Sequence, residues 1–401
     1  MRFLTLRDAD VRGKRVVVRL DLNVPMHGEQ VADAGRIIAS LPTLRRLREQ
    51  GALTIVLSHL GRPNGTIVPS LSLAPVAREL SKRLGSPVAF APDCVGPLAQ
   101  EAIARLGSGG VIVLENVRFY PEEEENDPGF AAQLAALGQI YVDDAFGVAH
   151  RAHASVEGIA RLLPAYAGLL MEAELKALDS LTSSPRAPFV CVIGGAKVKD
   201  KIDVMHHLLK RVNAFIIGGG MANTFLAAQG VNVGSSLRDE DLEPAKRIIA
   251  EAQERSIPLH LPIDVIASTD IDADKQAVAL PITQIGNRMI LDIGPATAQR
   301  YAHVLQDAAT IVFNGPMGVY EKTAYQAGTR AVGEAIAQAT KRGAISIVGG
   351  GDAAAAANLL GFASGMTHVS TGGGATLEFL EGKTLPGVAA LEAAAEHGAL
   401  R

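Results

Sequence analysis

The sequence contains no tryptophan and only two cysteines in 401 residues. Two cysteines cannot make the disulfide framework of a small secreted protein. Cys94 and Cys191 each stand near an apolar run, so we expect both to be buried as small hydrophobic side chains. Residues 1–10 carry four charges and no apolar stretch, so no secretory signal is visible. These absences indicate a reducing compartment, most simply the cytoplasm.

Basic residues are not in excess. The formal net charge is −4 and the pI is near 6.2, which argues against a nucleic-acid coat and against a basic membrane-surface protein. Two stretches, 212–237 and 353–377, lack Asp, Glu, Lys and Arg and are long enough for a membrane span. Both are rich in Gly, Asn, Ser and Thr, which favours buried strand–loop–helix units instead. We therefore expect neither nucleic acid nor a membrane as a partner.

Several common fingerprints are missing as well. Neither G-x-x-x-x-G-K-[ST] nor G-x-G-x-x-G occurs, which disfavours a P-loop protein and a standard dinucleotide-binding domain. The zinc spacings H-E-x-x-H and C-x-x-C do not occur either. Glycine, in contrast, is abundant, with 41 residues or about a tenth of the chain against a usual ~7%. This excess requires a physical reason.

Short apolar runs alternate with amphipathic helical patterns along the whole chain. Continuous Val/Ile/Leu runs are typical of parallel strands that are covered on both faces, so the alternation predicts α/β domains with parallel sheets. The predicted strands are 16–20, 53–57, 111–114, 140–142, 189–193, 214–217, 289–293, 310–313 and 344–348. The length fits two domains, or three. A helical pattern at 171–181 precedes the Ser/Pro-rich stretch 180–188, and we place the boundary near residue 185.

Three glycine clusters share one context, in which a strand is followed by glycines and then by a helix. They are Gly218–Gly220, Gly349–Gly351 and Gly372–Gly374. Glycine lets the backbone approach a ligand closely, and a helix N-terminus offers free N–H groups with partial positive charge. The pattern predicts phosphate sites at the carboxyl ends of parallel strands. One cluster alone could be a tight turn, but three in one half of the chain favour phosphate binding.

Charged residues in the same half suit such a site. Lys197 and Lys201 are four residues apart, so on a helix they would share a face beside its N-terminus, within reach of a phosphoryl group. Asp352 follows the glycines of one cluster, either as an N-cap or as a ligand of nucleotide-bound Mg²⁺. Glu321 could accept hydrogen bonds from ribose hydroxyl groups.

Arginine and histidine recur just past strand ends in the first half of the chain. They occur in RLDLNVP from Arg19, SHLGRP from Ser58, ENVRF from Glu115 and HRAH from His150. Ligands of α/β sheets bind at the carboxyl ends of strands, and convergent arginines suit a small acid that carries a carboxylate and a phosphate. The acidic run 122–125 is expected to be a solvated loop.

Taken together, these motifs resemble those of the phosphoglycerate kinase family. The matches run in family order over essentially the whole chain. Beyond RLDLNVP, SHLGRP and ENVRF, they are DDAFGVAHRAHAS from Asp143, GGAKVKDKI from Gly194, GGGMANTF from Gly218, LPID from Leu261, DIGPAT from Asp292, NGPMGVYE from Asn314, GGGD from Gly349, STGGGA from Ser370 and LEGKTLPGV from Leu380.

The resemblance implies two Rossmann-like three-layer α/β domains with parallel sheets, joined by a helix and a hinge. It implies a 3-phosphoglycerate-binding domain at 1–170, a helical linker at 171–185 and a nucleotide-binding domain at 186–385. The tail, 386–401, is expected to pack back on the first domain.

The resemblance also implies the residues of two binding sites. Those for 3-phosphoglycerate are Asp21, Asn23, Arg36, His59, Arg62, Arg118 and Arg151, with Arg19, His150 and His153 completing the basic patch. Those around Mg-ADP or Mg-ATP are Lys197, Lys201, Gly219, Gly294, Asn314, Glu321, Gly350, Gly351, Asp352 and Ala353. Asp352 is the expected Mg²⁺ ligand, mainly through the nucleotide phosphates. Catalytic roles are expected for Arg36, Lys201, Gly373 and Gly374.

The implied reaction is reversible phosphoryl transfer from 1,3-bisphosphoglycerate to ADP, which gives 3-phosphoglycerate and ATP, by a cytoplasmic monomer. The nucleophile is an anion in either direction, so no general base is required. Catalysis then depends on in-line positioning, charge neutralisation and hinge closure. The family usually carries Thr or Ser where this chain has Ala353, so only a backbone N–H remains there for a phosphate. A nicotinamide dehydrogenase and a nucleotide-binding module without activity are the alternatives.

Overall fold

The computed structural model describes residues 1–272 and 276–398. The chain forms two compact units. The first comprises Met1–Lys176 together with the C-terminal segment that begins at Thr384, and the second comprises Ala177–Lys383. The first unit is therefore discontinuous in sequence, whereas the second is one continuous segment. Residues 399–401 of the predicted tail lie outside the described residues.

A parallel sheet of six strands forms the centre of the first unit. The strand order is Val88–Ala91, Val111–Leu114, Leu53–Leu57, Arg15–Leu20, Ile140–Asp144 and Ala165–Ala167. Val16 and Val18 pack in one core cluster with residues of the helices Gly35–Glu49 and Ala74–Leu84. Val17, on the opposite face of the same strand, is equally buried. Burial on both faces explains why this strand is a continuous apolar run.

The helices of the first unit follow the predicted amphipathic patterns. In the helix Gly35–Glu49, Ile37, Leu41, Leu44 and Leu47 are all buried along one side. The unit's helices are Gly35–Glu49, Ala74–Leu84, Gly96–Ala104, Pro121–Glu124, Pro128–Ala135, Leu169–Thr182, which continues into the second unit, and Pro386–Gly398. Shorter helical turns are Pro69–Leu71, Val117–Phe119, Phe146–Val148, Ala154–Gly158 and Ile159–Arg161, and a small hairpin joins Met26–His27 to Gln30–Val31.

The C-terminal helix Pro386–Gly398 packs within the first unit. It contacts the edge strand Ala165–Ala167 and the turn Ile159–Arg161. The backbone N–H of Gly387 donates to the carbonyl of Ala149 at 2.9 Å.

The second unit also contains a parallel sheet of six strands. The strand order is Leu259–His260, Ala214–Ile217, Phe189–Ile193, Thr310–Asn314, Ile345–Val348 and His368–Val369. In the register of the central strand, Val190 pairs with Ala214 on one side and with Ile311 on the other. Two six-stranded parallel sheets confirm the predicted α/β class.

A smaller antiparallel sheet in the second unit joins Val278–Pro281, Asp264–Ser268 and Met289–Ile293. The predicted strand 289–293 therefore exists, but its assignment to a parallel sheet was wrong. Its first two residues are only half-buried, so this strand is not covered on both faces along its length. An apolar run indicates burial but does not specify the direction of the neighbouring strand.

The helices of the second unit lie between these strands. They are Ile202–Leu208, Gly219–Ala228, Glu243–Glu254, Pro295–Gln306, Ala327–Lys341, Gly351–Leu359 and Gly374–Leu380, with short turns at Ile282–Gln284, Thr323–Tyr325 and Ala363–Gly365. Across the described parts of both units, no helix combines the length and the apolar character that crossing a membrane requires.

Candidate functional site

Basic side chains converge at the carboxyl ends of the parallel strands of the first unit. Arg19, the penultimate residue of its strand, is fully buried, and its Nη2 lies 3.2 Å from Nδ1 of His59. A guanidinium can only donate, so Nδ1 of His59 accepts and the ring proton is on Nε2. Burial, and then the charges of Arg19 and Arg118, lower the pKa of His59 well below its usual value of 6.5. His59 is therefore a neutral ring with a defined tautomer.

Arg36 connects two loops of the same site. It is the second residue of the helix Gly35–Glu49, and its Nη1 lies 3.1 Å and 3.0 Å from the two carboxylate oxygens of Asp21. The same Nη1 donates to the carbonyl of Asn23 at 3.0 Å. The side-chain Oδ1 of Asn23 accepts from the backbone N–H of Gly61 at 2.9 Å. The structure thus brings Asp21, Asn23 and Arg36 together with the loop that contains His59.

Arg118 lies in the helical turn Val117–Phe119 and is 3% exposed. Its Nη1 donates to the carbonyl of Gly61 at 3.0 Å, and its Nε lies 3.2 Å from Oε1 of Glu124. Burial lowers the pKa of Arg118 from its usual value, against the opposing charge of Glu124. Within the described residues, Nη2 has no hydrogen-bond partner. A buried cationic donor without a partner is costly, so this atom indicates where an anionic ligand would bind.

The other predicted residues of the basic patch differ in exposure. His153 is buried, Arg151 and His150 are half-buried, and Arg62 is exposed beside Gly61. The charge of Arg151 acts on Arg118, which places the two guanidinium groups near each other.

The acidic run 122–125 differs from the solvated loop that we expected. It forms the short helix Pro121–Glu124, and Glu123 is 0% exposed. Its Oε1 accepts from Oγ of Ser155 at 2.6 Å, and its Oε2 accepts from the backbone N–H of Ser155 at 2.9 Å. Four consecutive glutamates carry no signal that singles out the buried one, because only the packing of distant segments distinguishes them.

The glycine clusters of the second unit have the predicted strand–glycine–helix context. The strands Ala214–Ile217 and Ile345–Val348 lead to the helices Gly219–Ala228 and Gly351–Leu359. The helix Gly374–Leu380 likewise follows a short strand. The N-caps of the last two helices are Gly350 and Gly373, with φ of 98° and 50°. These positive φ values favour glycine and leave the first N–H groups of each helix uncovered by a side chain.

Lys197 and Lys201 do not lie on a helix, so the prediction of a shared helical face was wrong. The helix begins only at Ile202, because the chain turns at Gly195, whose φ is 101°. Lys197 is exposed. Nζ of Lys201 turns back to donate to the carbonyls of Gly194 at 2.7 Å and Asn314 at 2.6 Å.

The environment of Lys201 changes its protonation. Burial lowers the pKa of Lys201 to about 8, while the charge of Asp352 opposes this shift. Lys201 is therefore a half-buried cation close to the helix that begins at Gly351.

Asn314 is the last residue of the central strand Thr310–Asn314, and its side chain connects this strand to the next glycine loop. Its Nδ2 donates to the carbonyl of Gly349 at 2.8 Å. Asp352 is the second residue of its helix and is exposed, so the N-cap alternative was wrong because Gly350 occupies that position. Ala353, the next residue, is buried.

A cavity of about 580 Å³ opens beside these loops. Of the predicted nucleotide residues, Gly219, Glu321 and Asp352 line it. One wall is apolar and was not predicted; it consists of Leu237, Ile271, Met289, Leu291 and Tyr320. Met289 and Leu291 lie on one strand, but the other three side chains come from separate segments, so no pattern in the sequence groups all five. A cavity lined by both apolar side chains and glycine loops suits a ligand that combines a flat ring with an anionic group.

Gly294 is not among the residues that line this cavity. It is the N-cap of the helix Pro295–Gln306, and a Cβ at this position would lie 2.3 Å from Cγ of Asp264. The close neighbour that requires glycine here is therefore a carboxylate of the protein.

A metal ion would have few protein ligands in this unit. Within residues 1–272 and 276–398, no group of three or more His, Cys, Asp or Glu side chains could hold a metal ion. Asp352 offers one exposed carboxylate on the cavity. This donor set fits a Mg²⁺ ion that arrives with a nucleotide, because such an ion takes one or two carboxylates and keeps phosphate oxygens and water.

A family model and curated relatives match this chain over most of its length. The phosphoglycerate kinase family model matches residues 6–383. Phosphoglycerate kinase of Pelotomaculum thermopropionicum is 51% identical over 389 residues, which cover 96% of this chain and 98% of the relative. Phosphoglycerate kinase of Moorella thermoacetica is 51% identical over 390 residues, which cover 97% of this chain and 98% of the relative.

Solved structures of the same family also resemble this chain. Phosphoglycerate kinase from Coxiella burnetii has a TM-score of 0.89 and 42% identity, over 98% of this chain and all 100% of that one. Phosphoglycerate kinase from Pyrococcus horikoshii has a TM-score of 0.85 and 33% identity, and the match covers 98% of this chain and 99% of that one.

Proposed function

Because this chain belongs to the phosphoglycerate kinase family and is a phosphotransferase of glycolysis, we propose that its two units divide the substrates between them. The first unit binds 3-phosphoglycerate or 1,3-bisphosphoglycerate through its basic patch. The second unit binds Mg-ADP or Mg-ATP in the cavity beside its glycine loops. The observation that carries this division is the unpartnered, buried Nη2 of Arg118 in the one unit and the glycine-capped helices in the other.

The acid site combines fixed cations with neutral donors. Arg36 and Arg118 supply charge, and His59 supplies a neutral N–H at Nε2. Arg62 and Arg151 extend the patch. A small acid with a phosphate at one end and a carboxylate at the other requires such an array, because each anionic group needs several donors to replace its water.

The nucleotide site uses backbone groups for the phosphates. The N-termini at Gly351 and Gly374 present N–H groups and partial positive charge, and Lys201 adds a full charge. Ala353 can donate only its backbone N–H. The Asp352 carboxylate would hold the Mg²⁺ that the nucleotide brings, and Glu321 lies on the cavity where it would accept from ribose hydroxyls.

The chemistry needs charge neutralisation more than proton transfer. The attacking group is a phosphate or carboxylate oxygen that is already ionised, so no side chain has to remove a proton. Arg36, Lys201 and the N–H groups at Gly373 and Gly374 would stabilise the charge on the transferring phosphoryl group. Direct transfer requires the two ligands to meet, and closure of the hinge during turnover stays a prediction.

A single chain contains both sets of residues, which supports a monomer as the active form. Both cysteines are free and buried, as predicted, which supports a reducing compartment such as the cytoplasm.

A coupled assay with 3-phosphoglycerate and Mg-ATP tests the role assignment. We expect Arg36→Ala and Lys201→Ala each to lower kcat by about 10²–10³, with much smaller changes in KM, because both charges act mainly on the transferring group. Lys199→Ala is the matched control, since Lys199 is exposed two residues before Lys201. Unchanged kcat in both variants would contradict the roles that we propose.

A further inference from the structure

The buried carboxylate of Glu123 lies directly behind the basic patch. Both of its oxygens accept hydrogen bonds from Ser155, one from the hydroxyl and one from the backbone N–H. The single hydroxyl proton of Ser155 therefore goes to Glu123, and the oxygen of Ser155 remains free to accept.

Arg19 provides the next link. Its Nε donates to Oγ of Ser155 at 2.8 Å, and its Nη2 donates to Nδ1 of His59. An ionised carboxylate only accepts and a guanidinium only donates. Every donor and acceptor between Glu123 and His59 is therefore fixed: the hydrogen bonds lead outward from Arg19, through Ser155 to Glu123 on one side and directly to His59 on the other.

Glu123 also compensates charge. Arg19 is fully buried, and Nδ1 of His153 lies 3.6 Å from Oε1 of Glu123. Burial alone would raise the pKa of Glu123, but His153, Arg19 and Ser155 around it lower that pKa below its usual value. A buried guanidinium without such a counter-charge would be costly. The carbonyl of Leu20 accepts from Nη1 of Arg19, and Ser155, which Glu123 holds, fixes the Nε side of the guanidinium.

We propose that Glu123 is a positioning residue of the 3-phosphoglycerate site: through Ser155 it orients Arg19, and Arg19 holds His59 as the tautomer that can donate from Nε2 to the bound acid. This inference rests on the proposed function, which assigns His59 to that acid. Glu124, on the same short helix, is the neighbour of Arg118. The helix Pro121–Glu124 therefore supplies carboxylates to two arginines of the patch.

The ¹⁵N spectrum of His59 in the whole wild-type protein is the first test. A His59→Gln variant assigns the signals. We expect a neutral ring at pH 7 with the proton on Nε2, and a change in these signals when 3-phosphoglycerate is added. A proton on Nδ1, or a charged ring, would overturn the inference. If the added acid leaves the signals unchanged, the assignment of His59 to the acid site fails, and the inference fails with it.

Glu123→Gln is the second test, with Glu125→Gln as the matched control because Glu125 is exposed on the same segment. A glutamine cannot accept from both donors of Ser155, so the orientation of Arg19 is lost. We expect KM for 3-phosphoglycerate to rise about tenfold, which corresponds to about 1.4 kcal/mol, while KM for Mg-ATP stays within about twofold, since a fold-wide defect would change both. The His59 spectrum should show a second tautomer in Glu123→Gln and the wild-type pattern in Glu125→Gln.

Ser155→Ala keeps the inference testable if Glu123→Gln does not fold. It removes the hydroxyl link but leaves both charges, so we expect the same tautomer change with a smaller rise in KM for 3-phosphoglycerate. A folded variant of either kind with wild-type KM and a wild-type His59 spectrum would show that Glu123 has no positioning role.

Discussion

The glycines of the second unit occupy two different environments. A Cβ at Gly351 or Gly373 would meet no atom within 4 Å, so these positions face open space beside helix N-termini. A Cβ at Gly219 would lie 2.7 Å from the carbonyl oxygen of Gly195, and one at Gly220 would lie 2.5 Å from that of Ala196. The first pair leaves room for a phosphate to approach, and phosphate binding there stays a prediction. At Gly219 and Gly220, the close neighbour is another loop of the protein.

Lys201 combines partial burial with the charge that we propose to act on the transferring phosphoryl group. Its Nζ has two carbonyl partners, at Gly194 and Asn314, but neither carries a full negative charge. Burial therefore outweighs the charge of Asp352, and the pKa is lowered to about 8 from 10.5. The cation dominates at pH 7 and is lost as the pH rises through about 8.

The pH dependence of kcat/KM for Mg-ATP should show this ionisation, because that parameter reports the free enzyme. We expect kcat/KM to fall as the pH rises above about 8. Lys201→Arg keeps its charge throughout this range, so the variant should be less active at pH 7 but lack the fall. A fall that persists in Lys201→Arg would assign the ionisation to another group, and Lys199→Arg serves as the control.

At the scale of elements, a single carboxylate joins two segments of the second unit. Oδ2 of Asp264 accepts from the backbone N–H of Ala296 at 3.0 Å, and Oδ1 accepts from that of Thr297 at 2.6 Å. Asp264, the first residue of the strand Asp264–Ser268, thus accepts hydrogen bonds from the free N–H groups at the start of the helix Pro295–Gln306. This contact links the LPID and DIGPAT motifs, which the sequence presents as separate.

Removal of this carboxylate should weaken the second unit. We expect Asp264→Ala to lower the free energy of unfolding by about 1–2 kcal/mol, the usual effect of losing a helix cap. Urea unfolding followed by circular dichroism measures the change. Asp307→Ala is the control, because Asp307 is exposed at the other end of the same helix. Equal stability of the two variants would show that the cap contributes nothing.

Asp144 has a comparable position in the first unit. Its Oδ1 accepts from the backbone N–H groups of Leu170 at 2.9 Å and Met171 at 3.1 Å, at the start of the helix Leu169–Thr182. Burial raises the pKa of Asp144 to about 7, against the hydrogen bonds from Thr43 and these N–H groups. The native state therefore holds this proton more tightly than the unfolded chain.

The sign of the pH effect follows from this raised pKa. The stabilisation that this proton contributes is full below pH 3.8, the pKa of the carboxyl in the unfolded chain. It declines as the pH rises towards about 7, where Asp144 ionises in the folded state. Asp144→Asn retains an acceptor but cannot ionise. From pH 5 to pH 8, we expect its free energy of unfolding to increase relative to wild type by on the order of 2 kcal/mol. Asp307→Asn is the control, and a difference independent of pH would contradict the prediction.

At the scale of the whole molecule, the two units differ in how many segments of the chain they contain. The second unit is continuous, whereas the first depends on the C-terminal helix Pro386–Gly398. Leu385, just before this helix, and Val388 and Leu391 within it are almost fully buried. Each such side chain contributes about 1.5–3 kcal/mol when buried, and the sum is comparable with the net stability of a domain, about 5–15 kcal/mol.

A chain that ends at Lys383 should therefore lose the first unit and retain the second. We expect no turnover and a partly unfolded circular dichroism spectrum, while calorimetry still detects Mg-ADP with Kd within about threefold of wild type, since the cavity lies wholly in the second unit. Leu391→Ala in the full chain should destabilise by about 2–5 kcal/mol, and exposed Glu396→Ala should not. Normal turnover by the shortened chain would contradict this dependence.

Much of the fold was predictable because its signals are local. The strand 53–57 and the helix Gly35–Glu49 follow directly from apolar runs and periodicity. The apolar wall around Leu237 and Met289 was not predictable, because most of its members come from segments far apart in sequence and apolar residues are common elsewhere in the chain. The antiparallel direction of Met289–Ile293 was also missed, because an apolar run encodes burial alone.

The sequence by itself determined the family and the two parallel sheets, and it predicted two classes of anion-binding residues, arginines in one half and glycines in the other. These features reside in short motifs whose order the chain preserves. Only the tertiary structure decided which glutamate of 122–125 is buried, which carbonyls accept hydrogen bonds from Lys201 and which tautomer His59 adopts. Each of these depends on groups far apart in sequence, and burial and hydrogen bonding act through space.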